Sequence, residues 1–331
     1  MSSNRRTIIQ LAVAAIALIV TYVLVTGPLD RAHLVDQFVS AGCVALAVVG
    51  LTVVVGGSHQ FHLGQGFFFG VGAYWTAVAA GRWSWPPLLA LLSATVVCCC
   101  LAWIIGRVLN RVSGLYFAIA TLALAVIGTS IAFQLREYTG GDNGLLVDEL
   151  EVAGWSMNSG LRGYVVVWSV ALLGAFFATR YLRSRRGRAV RAVGGDEPAA
   201  RSLGISSAGS RTQAFVIAAG YAAVGGGLHG FSSGFLYPES FGLVASVEMV
   251  VYVMVGAATV VGGLVATGML ALIPLVFEQL EGKLDLVFGV VLVTLLVLLP
   301  ENPSVPWSRL RRTPSPEVAF DPSIVPEEVD V

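Results

Sequence analysis

Along this 331-residue chain the apolar positions gather into long unbroken runs, separated by short polar or glycine-rich breaks, instead of alternating as in half-buried strands or soluble amphipathic helices. A helix crossing a bilayer requires about twenty such residues, and fewer where neighbours bury a broken segment. Ten runs qualify: Ile8 to Val25, Val35 to Val55, Phe67 to Ala80, Leu88 to Ile105, Leu115 to Phe133, Tyr164 to Tyr181, Gln213 to Phe231, Ser246 to Val261, Gly262 to Phe277 and Asp285 to Leu299. The third, eighth and ninth are short and rich in glycine. The pattern predicts an all-α, polytopic transmembrane helical bundle of about ten spans. Residues 1–34 form an N-terminal end and first span, residues 35–299 the main transmembrane domain, and residues 300–331, where prolines and acidic side chains accumulate, a disordered tail.

The basic residues orient this bundle. With ten crossings, positions 5, 6, 107, 111, 180, 183, 185, 186, 188, 191, 201, 211, 309, 311 and 312 share one face, fifteen of the 20 Lys and Arg. Arginine and lysine are retained in cytoplasmic loops, so that face and both termini are assigned to the cytoplasm. The second to fifth spans and the seventh to tenth then form two four-span blocks of opposite topology, the layout of an inverted repeat. Two polar excursions interrupt the runs. The outer one, 134–162, carries Glu137, Asp142, Asp148, Glu149 and Glu151 against Arg136 and Arg162, and reads as an external cap. The inner one, 182–212, holds seven arginines.

Composition narrows the function. The chain is 56% hydrophobic and 12% charged, too few charges to clothe a soluble globule of this length, and its zero net charge gives no field for nucleic acid. Arg5 and Arg6 precede the first apolar run, but that run is long enough to span and no small-residue cleavage site follows, so it reads as a retained span. Cys43 and the run Cys98 to Cys100 lie in apolar stretches without metal-ligand spacing and read as packing residues. The span centres hold no ionisable group of the kind that ion-coupled carriers keep, Glu248 lies near a span end, and His59, His62 and His229 sit near span ends as structural histidines. No nucleophile–base pair, metal cluster or phosphate-cradling loop is present, so the chain reads as having no engine and no cofactor of its own, and not as an enzyme.

The inner loop offers a place for energy to enter. In the segment from Asp196 to Gly204, Asp196 can cap a short helix, Pro198 fits its first turn and Gly204 can end it. Ala199, Ala200 and Leu203 would share a small apolar face amid arginines, suited to dock in a groove on another protein.

Here the chain resembles a known family. Gly187, Arg188, Ala189 and Arg191, followed by Glu197, Ala199, Ala200, Gly204 and Ile205, resemble the coupling loop of ABC importer permeases of the branched-chain amino acid type. Gly64 and the run from Phe67 to Tyr74, then Leu115 to Ala118 with Thr121 to Ala123, are similar to that family's segments in the same order. So are Thr139 to Gly144, Ala214 to Ala218 and Pro238 to Phe241. The resemblance implies a ten-span permease pairing with a second, homologous permease. It also implies two cytoplasmic ATPases that hold ATP and Mg, and an extracytoplasmic solute-binding protein, in a prokaryotic inner membrane.

Departures bear on the cargo. Where the family usually has serine and histidine flanking Leu-Gly, this chain has His62 and Gln65, and the family's Gly-Gly-x-Gly is represented by Gly256, Ala257, Ala258 and Thr259. The expected cargo is a small amino acid of the branched-chain class; urea or a short amide would suit the same neutral path, and a self-sufficient carrier or channel is the competing class. The coupling residues expected are Arg188, Arg191, Glu197, Ala199, Ala200 and Gly204, and the polar groups expected along the path are Gln60, His62, Gln65, Thr121 and Thr259.

Overall fold

A computed structural model describes residues 32–109, 114–147, 151–152, 155–156 and 160–271. The spans expected over Ile8 to Val25 and Asp285 to Leu299, the tail over 300–331 and the far end of the ninth run lie outside them. Eleven helices occur among the described residues: α1 (Ala32–Val53), α2 (Gln65–Gly81), α3 (Pro87–Leu109), α4 (Leu115–Gln134), α5 (Arg136–Thr139), α6 (Gly160–Arg183), α7 (Arg185–Gly195), α8 (Glu197–Ser202), α9 (Ser207–Ser232), α10 (Leu243–Val255) and α11 (Val260–Leu270). A π-helical turn, Val54–Ser58, prolongs α1. Among the described residues, six segments are long and apolar enough to cross a membrane: Val35–Ser58, Pro87–Leu109, Leu115–Gln134, Arg162–Arg183, Ser207–Ser232 and Pro238–Val255. This is a multi-pass membrane protein.

Burial sorts the helices into a centre and a perimeter. The α1 span is 89% buried and the α9 span 67%, whereas those of α3 and α4 are only 22% buried, with Leu92, Val96, Ile119 and Ile127 turned outward. Lipid tails are as apolar as leucine, so helices inside a bilayer associate by close packing and hydrogen bonds. Alanine and glycine on α9 supply the packing. A β-carbon on Gly226 would stand 1.9 Å from the Phe69 carbonyl oxygen, so the backbones of α9 and α2 touch where only glycine fits. Polar side chains add ties across helices: Trp168 donates its indole N–H to the Phe38 carbonyl at 3.1 Å, and Tyr221 its hydroxyl to the Gly174 carbonyl at 2.8 Å.

The two ends of the bundle differ. At one, Thr212 at the start of α9 donates to the Gly106 carbonyl near the end of α3, which brings Arg107, Arg211 and the α7–α8 hairpin together. At the other, β1 (Leu145–Leu146) pairs antiparallel with β4 (Phe235–Leu236), fastening the acidic excursion to the loop after α9. A second two-residue pair, β2 (Glu151–Val152) with β3 (Trp155–Ser156), lies in that excursion. These four short strands are an addition to the all-helical expectation; their ladders close a cap without altering the bundle.

One boundary is corrected. The eighth run, expected to continue to Val261, stops at Val255, and the next helix begins at Val260 instead of Gly262. The reason is a break at Gly256 to Thr259, where Ala257 and Ala258 both take left-handed backbone (φ 51° each). Thr259 steadies the break: its hydroxyl donates to the Gly256 carbonyl at 2.9 Å and accepts from the Gly262 N–H at 3.1 Å, capping α11.

Candidate functional site: the basic hairpin and the turn beneath it

The hairpin forms as its residues dictate. Ser184 caps α7 by accepting from the Gly187 N–H at 3.2 Å, and Asp196 caps α8 by accepting from the Ala199 N–H at 2.9 Å, with Pro198 in the first turn. Helix α8 ends in a Schellman arrangement. The Ile205 N–H reaches the Ala200 carbonyl, the Gly204 N–H reaches the Arg201 carbonyl, and Gly204 takes the left-handed conformation (φ 79°) that favours glycine.

Glu197 locks this short helix to α9. Its two carboxylate oxygens accept separately, one from Arg201 and the other from Arg211 Nη2 at 2.6 Å, while Arg201 Nε donates to Ser207 Oγ at 3.1 Å. Burial pushes the Glu197 carboxyl upward, but Arg211 and Arg201 outweigh it and hold the group below its ordinary range. Arg188 is exposed and donates to the Arg183 carbonyl at 2.8 Å; Arg191 is exposed as well. The expected shared face of Ala199, Ala200 and Leu203 is corrected here. Ala200 is buried against its own chain, whereas Ala199, about 100° away around the helix, is exposed, and Leu203 lies past the last residue of α8 and is 80% exposed.

Beneath α8, α7 grips the end of α1. A β-carbon on Gly194 would meet the Gly57 carbonyl oxygen at 2.6 Å, and Val190 packs against Gly57. His59, itself in left-handed backbone, donates Nδ1–H to the Gly194 carbonyl at 2.9 Å. The opposite side of the same π-helical turn meets the α10–α11 break: a β-carbon on Gly56 would lie 2.2 Å from the Ala258 carbonyl oxygen. Hairpin, π-helical turn and helix break therefore form one continuous stack. The polar composition of the loop gave no sign of this; glycines at 56, 57 and 194 were its only trace in the sequence.

The expected path residues divide. His62, Gln65 and Thr121 meet where the chain re-enters the bundle between the π-helical turn and α2. Gln65 donates Nε2 to the carbonyls of Ala47 on α1 and Ala218 on α9, at 2.9 and 3.0 Å. Since Ala47 lies far from the end of its helix, the N-terminus of α2 starts within the bundle. Thr121 accepts from the Leu63 N–H at 3.0 Å and donates to the Ala118 carbonyl. His62 is wholly buried among Phe68, Phe117 and Phe215. Its Nε2, Gln60 Nε2 and Gln65 Oε1 are buried polar atoms without a protein partner. Thr259 stands apart, at the helix break. Around Phe241, His229, read from the sequence as structural, and Tyr74, which ends a family-like segment, form a further group with a ring nitrogen and a hydroxyl that have no protein partner.

Comparison with known proteins adds to this geometry. A family model described as branched-chain amino acid transport system / permease component matches residues 34–299. Two relatives named high-affinity branched-chain amino acid transport system permease protein LivM, from Salmonella typhimurium LT2 and Escherichia coli K12, are each 28% identical to this chain, over 91% of it and 75% of their own length. No solved structure matches.

Proposed function

The chain belongs to the permease-component family of branched-chain amino acid transport systems, and from that membership we propose that it forms part of the path of an ATP-driven importer for branched-chain amino acids. It is a permease subunit, and the observation that carries the mechanism is the stack from α8 through α7 and the π-helical turn to the α10–α11 break. Cytoplasmic ATPases, binding ATP and Mg themselves, engage the hairpin at Ala199 and Leu203, which project from the chain. Glu197, held by Arg201 and Arg211, makes α8 and α9 move as one body. The push then reaches Gly56 and Ala258 and re-angles α10 against α11, opening and closing the path in the manner of alternating access. A second permease completes the path, and an external binding protein delivers the cargo.

The buried polar atoms of Gln60, His62 and Gln65 lie within this bundle as hydrogen-bonding groups that a zwitterion could meet on passing. Proteoliposomes test the reading. Holding the permease pair with both ATPases, they accumulate leucine on addition of ATP and binding protein; the permeases alone do not. Accumulation against a gradient by this chain without companion subunits would overturn the proposal in favour of a self-sufficient carrier.

A further inference from the structure

Two helices begin side by side within the bundle. Gly66, in the first turn of α2, donates its N–H to Ser246 Oγ in the first turn of α10 at 3.0 Å, and a β-carbon on Gly66 would lie 2.7 Å from the Phe241 carbonyl oxygen. Gly242, the N-cap of α10, has no side chain to offer. Among the described residues the N–H groups of Leu243, Val244 and Ala245 meet no acceptor, and the first bond of the helix runs from the Ser246 N–H to the Gly242 carbonyl. Lipid has nothing to give such groups, so a bare helix start at this depth calls for water or a negatively charged ligand.

A cavity of about 380 Å³ opens beside this junction, between α2 and α4, at the small end of the roughly 300–1,000 Å³ of small-molecule sites. Gly66 and Phe241 border it, and Val71, Ile131 and Ala132 give it aliphatic walls. Tyr74 lines it too. That residue is only 9% exposed, its hydroxyl has no protein partner, and its ring lies edge to face on Phe241 at 5.5 Å, one residue before the α10 N-cap. Side chains lean toward the N-terminus of their helix, which carries Tyr74 along α2 toward the junction. Thr129 on α4, also in the lining, donates its hydroxyl to the Ala125 carbonyl at 3.1 Å, so its oxygen is left to accept; a β-carbon on Gly242 would stand 3.0 Å from that oxygen.

We propose that this cavity holds the amino acid during its passage: the carboxylate on the first-turn N–H groups of α10 and the Tyr74 hydroxyl, the ammonium on Thr129 Oγ1, and an aliphatic side chain against Val71, Ile131 and Ala132. The assignment rests on the transport reading above and adds to it the residues that choose the cargo. An aliphatic side chain gains by burial among those walls, whereas a charged one would be stranded without a partner. Since no protein group uses the Tyr74 hydroxyl, the fold does not depend on it, and its contribution falls on the ligand.

The complete importer in proteoliposomes, given ATP and its binding protein, can be supplied with leucine bearing a diazirine in its side chain, illuminated during uptake and mapped by peptides. Label is expected on 66–78 and 128–135 above that on Leu92 and Val96 of α3, and excess leucine is expected to suppress it where glutamate does not. Tyr74→Phe is expected to lower labelling, and uptake at low leucine, about five-fold, the effect of one lost hydrogen bond. Its unfolding temperature should equal or exceed that of wild type, because the change removes a buried hydroxyl that pairs with nothing in the protein. Ala132→Phe, which fills the pocket, lowers labelling further. Leucine uptake by the wild type with label no higher on α2 and α4 than on α3, or with both variants unaltered, would overturn the site and leave the transport reading standing, as would a loss in Tyr74→Phe that follows a lowered unfolding temperature. A wild-type complex that takes up no leucine would overturn the transport reading itself, and the site with it.

Discussion

At the scale of single residues, Glu197 is an anchor for the hairpin. Its carboxylate is held ionised by two arginines, so the lock is at full strength above the ordinary glutamate range and weakens only as pH falls through its lowered value. Glu197→Gln should therefore cost about 1 kcal/mol at neutral pH, with the difference from wild type constant from about pH 5 to 8 and shrinking in more acid solution. Thermal unfolding in detergent across that range checks the sign. Gln65 makes a different point. It departs from the family's histidine, which suggested a role in cargo choice, yet it spends both amide hydrogens on α1 and α9. Gln65→Leu is expected to destabilise the protein by about 2 kcal/mol through two lost buried bonds, measurable as a lowered unfolding temperature. An unchanged unfolding temperature would show that these two bonds do not hold α2 to α1 and α9, whatever the substitution does to cargo affinity.

At the scale of elements, the helix of the inner loop was legible because capping chemistry is local: Asp196, Pro198 and Gly204 each announce their place within a few residues. The long spans were legible because lipid demands unbroken apolar runs. The break between α10 and α11 is placed a few residues late by the sequence, after Val261 instead of at Gly256 to Thr259, since Ala257 and Ala258 carry no turn signal and hydrophobicity continues straight through them. What holds them left-handed is tertiary, the wedge of Gly56 against Ala258 and the cap from Thr259. Two adjacent alanines in that conformation store strain of about 1 kcal/mol each. Ala257→Gly should relieve it and raise the unfolding temperature, net of the greater freedom glycine gives the unfolded chain. A lowered unfolding temperature would show that the break is not strained.

At the scale of the molecule, the proposed transmission has a contiguous packed route from the basic end inward. The α7–α8 hairpin packs directly on the π-helical turn: Val190 and Gly194 lie against Gly57, and His59 donates to the Gly194 carbonyl. That arrangement could not be read from the chain, since residues 56–59 and 190–194 are joined only by folding. The charge pattern nevertheless placed Arg107, Arg183 and Arg211 on one face, and the structure brings their helix ends together. The most direct test is Gly194→Ala, whose added methyl carbon would stand 2.6 Å from the Gly57 carbonyl oxygen. In proteoliposomes holding the complete importer, leucine uptake per ATP hydrolysed should fall about ten-fold, while the ATPase rate stays near that of wild type. Uptake and hydrolysis that keep their wild-type ratio would contradict the account.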